Sequence, residues 1–521
     1  MSFQPPAHWS PPAAYRPPRV VYPIAAALAV LLVAALALPV GIAVLRYRGD
    51  WPPAAARGGG AATTAKGGAN GVGDPYFPDF GSSGYDATSY TVSVDFDPAR
   101  EQLAGRTVVA ARATTALSFF YLDLALPTSR VWVDDVEAAF DLEGFQDLRV
   151  TPAGPIAAGQ DFTVTVEYVG RPGKLRREGL EDPPWRAGED EWTVAGEPES
   201  SAWWYPANDH PSDPAVLDVS VRVPKAYQAI SVGRLASRDT AQDADFDTWR
   251  WVTSESLPTY ASFLAIGHYE LREGEADGRP YVYAASTRFP AADRATLFTA
   301  MERTPALIKE IEAFAGPYPY SEMGGFVPAT SLWFAGLETA TRPVYDASSL
   351  MDDRFGDELL VHELAHMWFG DHVTLLQWND IFTNEAFASW AYWEVVERRG
   401  GTKADAELYA TYERTRSEPE FWRVTMVDPG PARLFDTVYV RGPMALQAIR
   451  NVMGDQAYAE LVRSWAQGSA SSAPGGGRAR SLEDFMAAAQ ARTSVDLTPV
   501  FREWLFDPDA PEKTAANGFD R

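Results

Sequence analysis

The chain has 521 residues, room for roughly two to four domains. Hydrophobic residues are 46% and aromatics 12%, which excludes an intrinsically disordered chain, and the absence of cysteine excludes disulfides, thiolate zinc sites and thiol nucleophiles. Lys+Arg is 45 against Asp+Glu 70, a formal net charge of −25, which argues against a nucleic-acid partner.

Residues 1–19 form a short Pro-rich tail. Val20 to Leu45 then run for 26 residues without a charge, long enough to span a bilayer as one helix. Ala35-Leu36-Ala37 offers a signal-peptidase site, but the apolar run continues past it, so an uncleaved single-pass anchor is expected. Arg16 and Arg19 before the span nearly balance Arg46 and Arg48 after it, so charge gives little on orientation. The catalytic part is expected outside the cytoplasm because it follows an N-terminal anchor. Residues 46–73, rich in Gly, Ala and Pro, read as a flexible tether.

From 74 to 273 the pattern is β. Tyr90, Val92, Val94 and Phe96 alternate with polar residues, as do Phe162, Val164, Val166 and Tyr168, and Leu217, Val219, Val221 and Val223. After about Pro290 the period changes: Leu297, Met301, Ile308 and Ile311 fit a helix, with Pro305 as an interruption. Residues 274–521 are therefore expected to form a second, α-rich domain with C-terminal helices. An α+β chain of two domains, β first, predicts a cleft between them.

Six histidines occur in the chain, three of them between 362 and 372. His362-Glu363-Leu364-Ala365-His366 places two imidazoles four residues apart, on one face of a helix, with a carboxylate beside them. That arrangement suits one zinc ion, and catalytic zinc takes a third protein ligand plus water. His372 has the spacing of HExxHxxGxxH, but Phe369 stands where that motif turns on glycine. Glu385, opening a second helix, is the other candidate and is favoured by the turn requirement.

Several further segments resemble the aminopeptidase N family of gluzincins, which includes leukotriene A4 hydrolase. The span from His366 to Glu385 matches HExxH followed by eighteen residues and Glu. Asp74-Pro75-Tyr76-Phe77-Pro78 and Gly84-Tyr85-Asp86 resemble the family's opening strands. So do Trp203-Trp204-Tyr205-Pro206-Ala207-Asn208-Asp209-His210-Pro211, Gly316-Pro317-Tyr318-Pro319-Tyr320 and Val438-Tyr439-Val440-Arg441-Gly442 their counterparts, in order. Ala335-Gly336-Leu337-Glu338-Thr339 sits where the family has Gly-x-Met-Glu-Asn.

The resemblance implies a saddle-like all-β domain followed by a thermolysin-like zinc peptidase domain. It implies one Zn2+ held by His362, His366 and Glu385, with Glu363 activating the water. Tyr439 is then the oxyanion donor, and Glu338 and Glu197 hold the amine of a peptide substrate. His372 becomes a residue outside the ligand set. Thr339 for Asn, Ala335 for Gly, Leu337 for Met, Met367 for Gln, Ala386 for Gly and Arg441 for Lys depart from the family pattern. The expected activity is that of an aminopeptidase, with a zinc endopeptidase on the same scaffold as the alternative. No partner protein is inferred.

Overall fold

The computed structural model describes residues 67–240, 245–468 and 478–519. The expected span 20–45 lies outside the described residues, as do the Pro-rich tail and most of the tether. Among the described residues no helix is long and apolar enough to cross a membrane. Part of the stretch expected as tether is ordered: Asn70 and Gly71 bridge to Ser82, so the folded chain begins before residue 74.

The first domain is built on an eight-stranded sheet. Its centre is Tyr85–Asp97, flanked by Gln102–Ala113 and by Val216–Pro224. The three alternations read from sequence lie here. Tyr90, Val92, Val94 and Phe96 are buried while Thr91, Ser93 and Asp95 are exposed, and Leu217, Val219, Val221 and Val223 face the same core. Tyr85–Asp97 pairs antiparallel with Gln102–Ala113 but parallel with Val216–Pro224, Ser89 opposite Val216. A smaller four-stranded sheet carries Glu191–Val194 and Leu264–Gly267 towards the second domain.

The second domain opens with a hairpin, Tyr269–Ala276 against Arg279–Ser286, that belongs to a five-stranded sheet. The expected boundary at 273/274 therefore falls inside one strand, because Tyr269 already pairs with Ser286. The short strand Gly336–Leu337 forms the edge of this sheet, bonded to Val344–Tyr345. Helices Ala291–Met301 and Thr304–Ala315 follow the predicted period, with Leu297, Met301, Ile308 and Ile311 all buried. Pro305 does not interrupt a helix. It sits in the first turn of the second one, where its missing N–H costs nothing.

Three helices then build the site: Gly356–Ala365, Phe382–Arg398 and Val438–Met453. The last two cross closely because Gly442 meets Ala386. A Cβ on Gly442 would lie 2.6 Å from the Ala386 methyl. A small residue at 386 is required by that contact, so alanine in place of the family glycine is accommodated.

Candidate active site

The helix Gly356–Ala365 starts with Asp357 and Glu358 in its first turn and ends one residue before His366. His366 keeps a helical backbone (φ −59°, ψ −23°), so the i, i+4 geometry with His362 survives the helix end. The stop is made by the turn that follows, in which Gly370 (φ +134°) bonds from N–H to the Val373 carbonyl at 2.9 Å. Helix Phe382–Arg398 returns beside it and brings Glu385 to the two imidazoles.

Three ligand atoms converge. His362 Nε2 is 3.1 Å from His366 Nε2 and 3.1 Å from Glu385 Oε2, and His366 Nε2 is 3.4 Å from Glu385 Oε2. Ligands bound tetrahedrally at about 2.0–2.1 Å would be about 3.3 Å apart, so the donor set fits zinc. The outer nitrogens are also occupied. His366 Nδ1 donates to the Phe369 carbonyl at 2.9 Å, and His362 Nδ1 lies 3.3 Å from Ser389 Oγ. The carbonyl contact fixes the His366 tautomer so that its Nε2 lone pair points at the centre, and Ser389 Oγ is placed to accept the Nδ1 proton of His362 in the same sense. His372 takes no part: its Nδ1 faces the Arg478 guanidinium, and burial and that cation push its pKa down to about 4.

Burial raises the Glu385 carboxyl, but His366 and His362 outweigh it and hold the pKa down to about 2. An ionised carboxylate beside two imidazoles is a ligand set ready to exchange protons for a divalent cation.

All seven residues singled out in the sequence line one cleft of about 830 Å³: His362, Glu363, His366, Glu385, Glu338, Glu197 and Tyr439. Glu363 is buried, and burial raises its carboxyl against the opposing pull of His366, with Glu338 and Glu385 adding to the rise. Gly336 on the edge strand faces it: a Cβ there would lie 2.6 Å from Glu363 Cδ and 2.8 Å from Cγ. Glu338 accepts from the Tyr260 hydroxyl at 3.0 Å, and Tyr260 in turn accepts from Asn384 Nδ2 at 3.4 Å. Glu197 is buried, and burial, then Glu338 and Glu385, push its carboxyl well above the ordinary value. The Tyr439 ring sits 5.7 Å from the His362 ring.

The glycine at 336 gives a direct prediction. Gly336→Ala displaces the Glu363 carboxylate, which has a flexible side chain and can yield without unfolding the protein. A displacement of this size is expected to lower kcat by roughly 10²-fold at unchanged thermal stability. Steady-state kinetics beside a melting curve would check it, and an unaltered kcat would remove Gly336 from the account.

Some residues escaped the sequence reading. Ser389, four positions after Glu385 on the same helix face, could have been found by helical spacing. Tyr260 could not, because it lies in a short turn, Thr259–Ala261, with no motif around it. Thr339 is buried and its hydroxyl donates to the Arg342 carbonyl at 2.7 Å. It is absent from the cleft lining, so the change from Asn acts on the loop behind Glu338. Met367 is likewise turned inward, its sulfur accepting from Thr341 N–H at 3.3 Å.

The peptidase family M1 domain matches residues 299–504. "Probable aminopeptidase 1" of Sulfurisphaera tokodaii is 26% identical over 337 residues, 61% of this chain and 41% of that protein. "Aminopeptidase N" of Streptomyces lividans is 23% identical over 445 residues, 80% of this chain and 50% of that protein. The chain thus spans half or less of the length of these curated relatives. Among solved structures, a mutant of the M1 zinc metallopeptidase from Deinococcus radiodurans, bound to a Tyr-Ser-Ala substrate, superposes with a TM-score of 0.75. It is 26% identical, and the match covers 85% of this chain and 99% of that one.

Proposed function

We propose, on the premise that this chain is an aminopeptidase N-like member of the M1 gluzincin zinc metallopeptidases, that it removes single residues from the free N-terminus of peptides. One observation carries the reading. Carboxylate oxygens of Glu197, Glu338 and Glu385 lie within 4.8 Å of one another, and Glu197 Oε1 is buried with no hydrogen-bond partner. Carboxyl groups so close together and shielded from water either hold protons or take up a cation. The α-ammonium of a peptide whose first carbonyl reaches the metal ligands supplies it, and a blocked or internal residue does not.

His362, His366 and Glu385 would hold the zinc, which when bound polarises a carbonyl and lowers the pKa of water. Glu363 accepts the proton of the attacking water and delivers it to the leaving amine nitrogen. Tyr439 donates its phenolic O–H to the oxygen on which negative charge develops. Burial, followed by Glu385, holds that phenol well above its ordinary pKa, so it remains a donor. Glu338, steadied by Tyr260, and Glu197 fix the amine and thereby the register of cleavage. The sheet edge at Gly336–Leu337 is free to bond an extended peptide backbone alongside them.

Tyr439→Phe deletes one donor and leaves the ring. Its kcat is expected to fall by about 10²–10³-fold with KM little changed, and a matching rise in KM alone would reassign Tyr439 to substrate binding. The function itself is tested on the zinc-loaded protein with amino-acid arylamides and the same compounds N-acetylated. Hydrolysis confined to the free amines supports the reading. Equal hydrolysis of both sets would favour the endopeptidase alternative.

A further inference from the structure

The cleft does not end at the metal ligands. Glu358 lies four residues before His362 on the same helix, one turn towards its N-terminus, and lines the cleft together with Phe355, Leu359 and Phe435. The amine-binding carboxylate Glu338 lies instead beside the second histidine, with Oε1 3.9 Å from His366 Nδ1. A peptide whose amine rests on Glu338 and Glu197 and whose first carbonyl reaches the ligand cluster must therefore run its next residue towards Glu358.

Among the described residues Glu358 makes no hydrogen bond and no ion pair. It also borders a second cavity, which continues past Tyr439 and holds Glu407, Trp393 and Arg414. Glu407 likewise has no side-chain partner, and Arg414 bonds Thr411 Oγ1 at 2.9 Å in place of either acid. Burial, with Glu407 next, pushes the Glu358 carboxyl up to about 7. A half-buried carboxylate with an acid for a neighbour and no counter-ion gains from a cation brought to it. The approach is apolar, lined by Phe355, Leu359 and Phe435, and suits the aliphatic stem of a long basic side chain.

We propose that Glu358 makes the leaving-group side of this cleft a subsite for a basic side chain, so that peptides with Lys or Arg directly after the N-terminal residue are preferred. This inference rests on the aminopeptidase reading, which fixes the direction of the substrate. The peptide positions its basic side chain by a charge-assisted contact, and no covalent step involves Glu358.

The test compares Ala-Lys-Gly, Ala-Leu-Gly and Ala-Glu-Gly with the zinc-loaded full chain and with Glu358→Gln and Glu358→Lys. The kcat/KM ratio of the Lys to the Leu peptide is expected to be roughly 10 in the unaltered protein. It should fall towards 1 in Glu358→Gln, and Glu358→Lys should favour the Glu peptide. A ratio near 1 in the unaltered protein, or a ratio that Glu358→Gln leaves standing, overturns the subsite while the aminopeptidase reading survives. Cleavage of none of the three peptides by the unaltered protein overturns that reading and the subsite with it.

Discussion

Glu363→Gln is expected to lower kcat by about 10²–10⁴-fold while zinc content stays at that of the unaltered protein. The two side chains are nearly isosteric, so the packing against Gly336 is kept. The converging side chains of His362, His366 and Glu385, which could hold the metal, are untouched. What is lost is the capacity to accept a proton, because an amide oxygen is a far weaker base than a carboxylate. The position of Glu363 makes the effect large. It is buried between the helix and the sheet edge, within ligand-atom distance of Glu338 and His366. Glu338 is held by Tyr260, and Glu385 by the imidazoles. Metal analysis beside single-turnover kinetics would separate the two roles: a kcat within tenfold of the unaltered enzyme would remove Glu363 as the base.

The second large effect concerns stability. Arg441, two residues after Tyr439 on the same helix, is fully buried and stacks over Trp422 with its guanidinium carbon 5.0 Å from the ring centre. Its donors reach four backbone carbonyls: Trp504 at 2.9 Å, Trp422 at 2.6 Å, Val424 at 2.9 Å and Asp507 at 2.6 Å. The planar fork thereby ties the Tyr439 helix to the loop before it and to the C-terminal segment. Burial pushes the guanidinium pKa down to about 10, which still leaves it charged at neutral pH. Arg441→Met leaves those carbonyls buried without donors, and a destabilisation of at least about 3 kcal/mol is expected. Arg441→Lys supplies a point charge without the fork and should recover part of that loss only. Denaturant midpoints for the two variants would check the order. Equal stability of both with the unaltered protein would show that the carbonyls find other donors.

The meeting of His362 and His366 was readable from sequence because a helix with 3.6 residues per turn turns a spacing of four into a shared face, whereas the return of Glu385 to them rested on the missing glycine at 369 and on the family resemblance. The strands around Tyr90, Phe162 and Leu217 were readable because one face of each is buried. The parallel pairing of Tyr85–Asp97 with Val216–Pro224 was not, since more than a hundred residues separate them and no local signal selects a partner so remote. The helix end at His366 depends on the Gly370 turn, which packs so closely that a Cβ on Gly370 would lie 3.0 Å from Asn384 Nδ2, a neighbour supplied by the tertiary structure. The significance of Gly336 was hidden too. Sequence marked Ala335 as the departure, whereas the close approach to Glu363 occurs one residue later.

Tyr260 and Glu358 show the same limit on the substrate side. What sets each apart is what the fold places opposite it, the Glu338 carboxylate in one case and an open cavity in the other. Neither belongs to a motif, and both become visible only when the two domains and the three helices are assembled.

The central claim is that a free amine sets the point of cleavage. The most direct measurement is mass analysis of products from one unmodified peptide and its N-acetylated twin, each incubated with the zinc-loaded protein. Stepwise loss of single residues from the unmodified peptide, beside an intact twin, is expected. Internal fragments from either peptide, or trimming of the acetylated one, would contradict it.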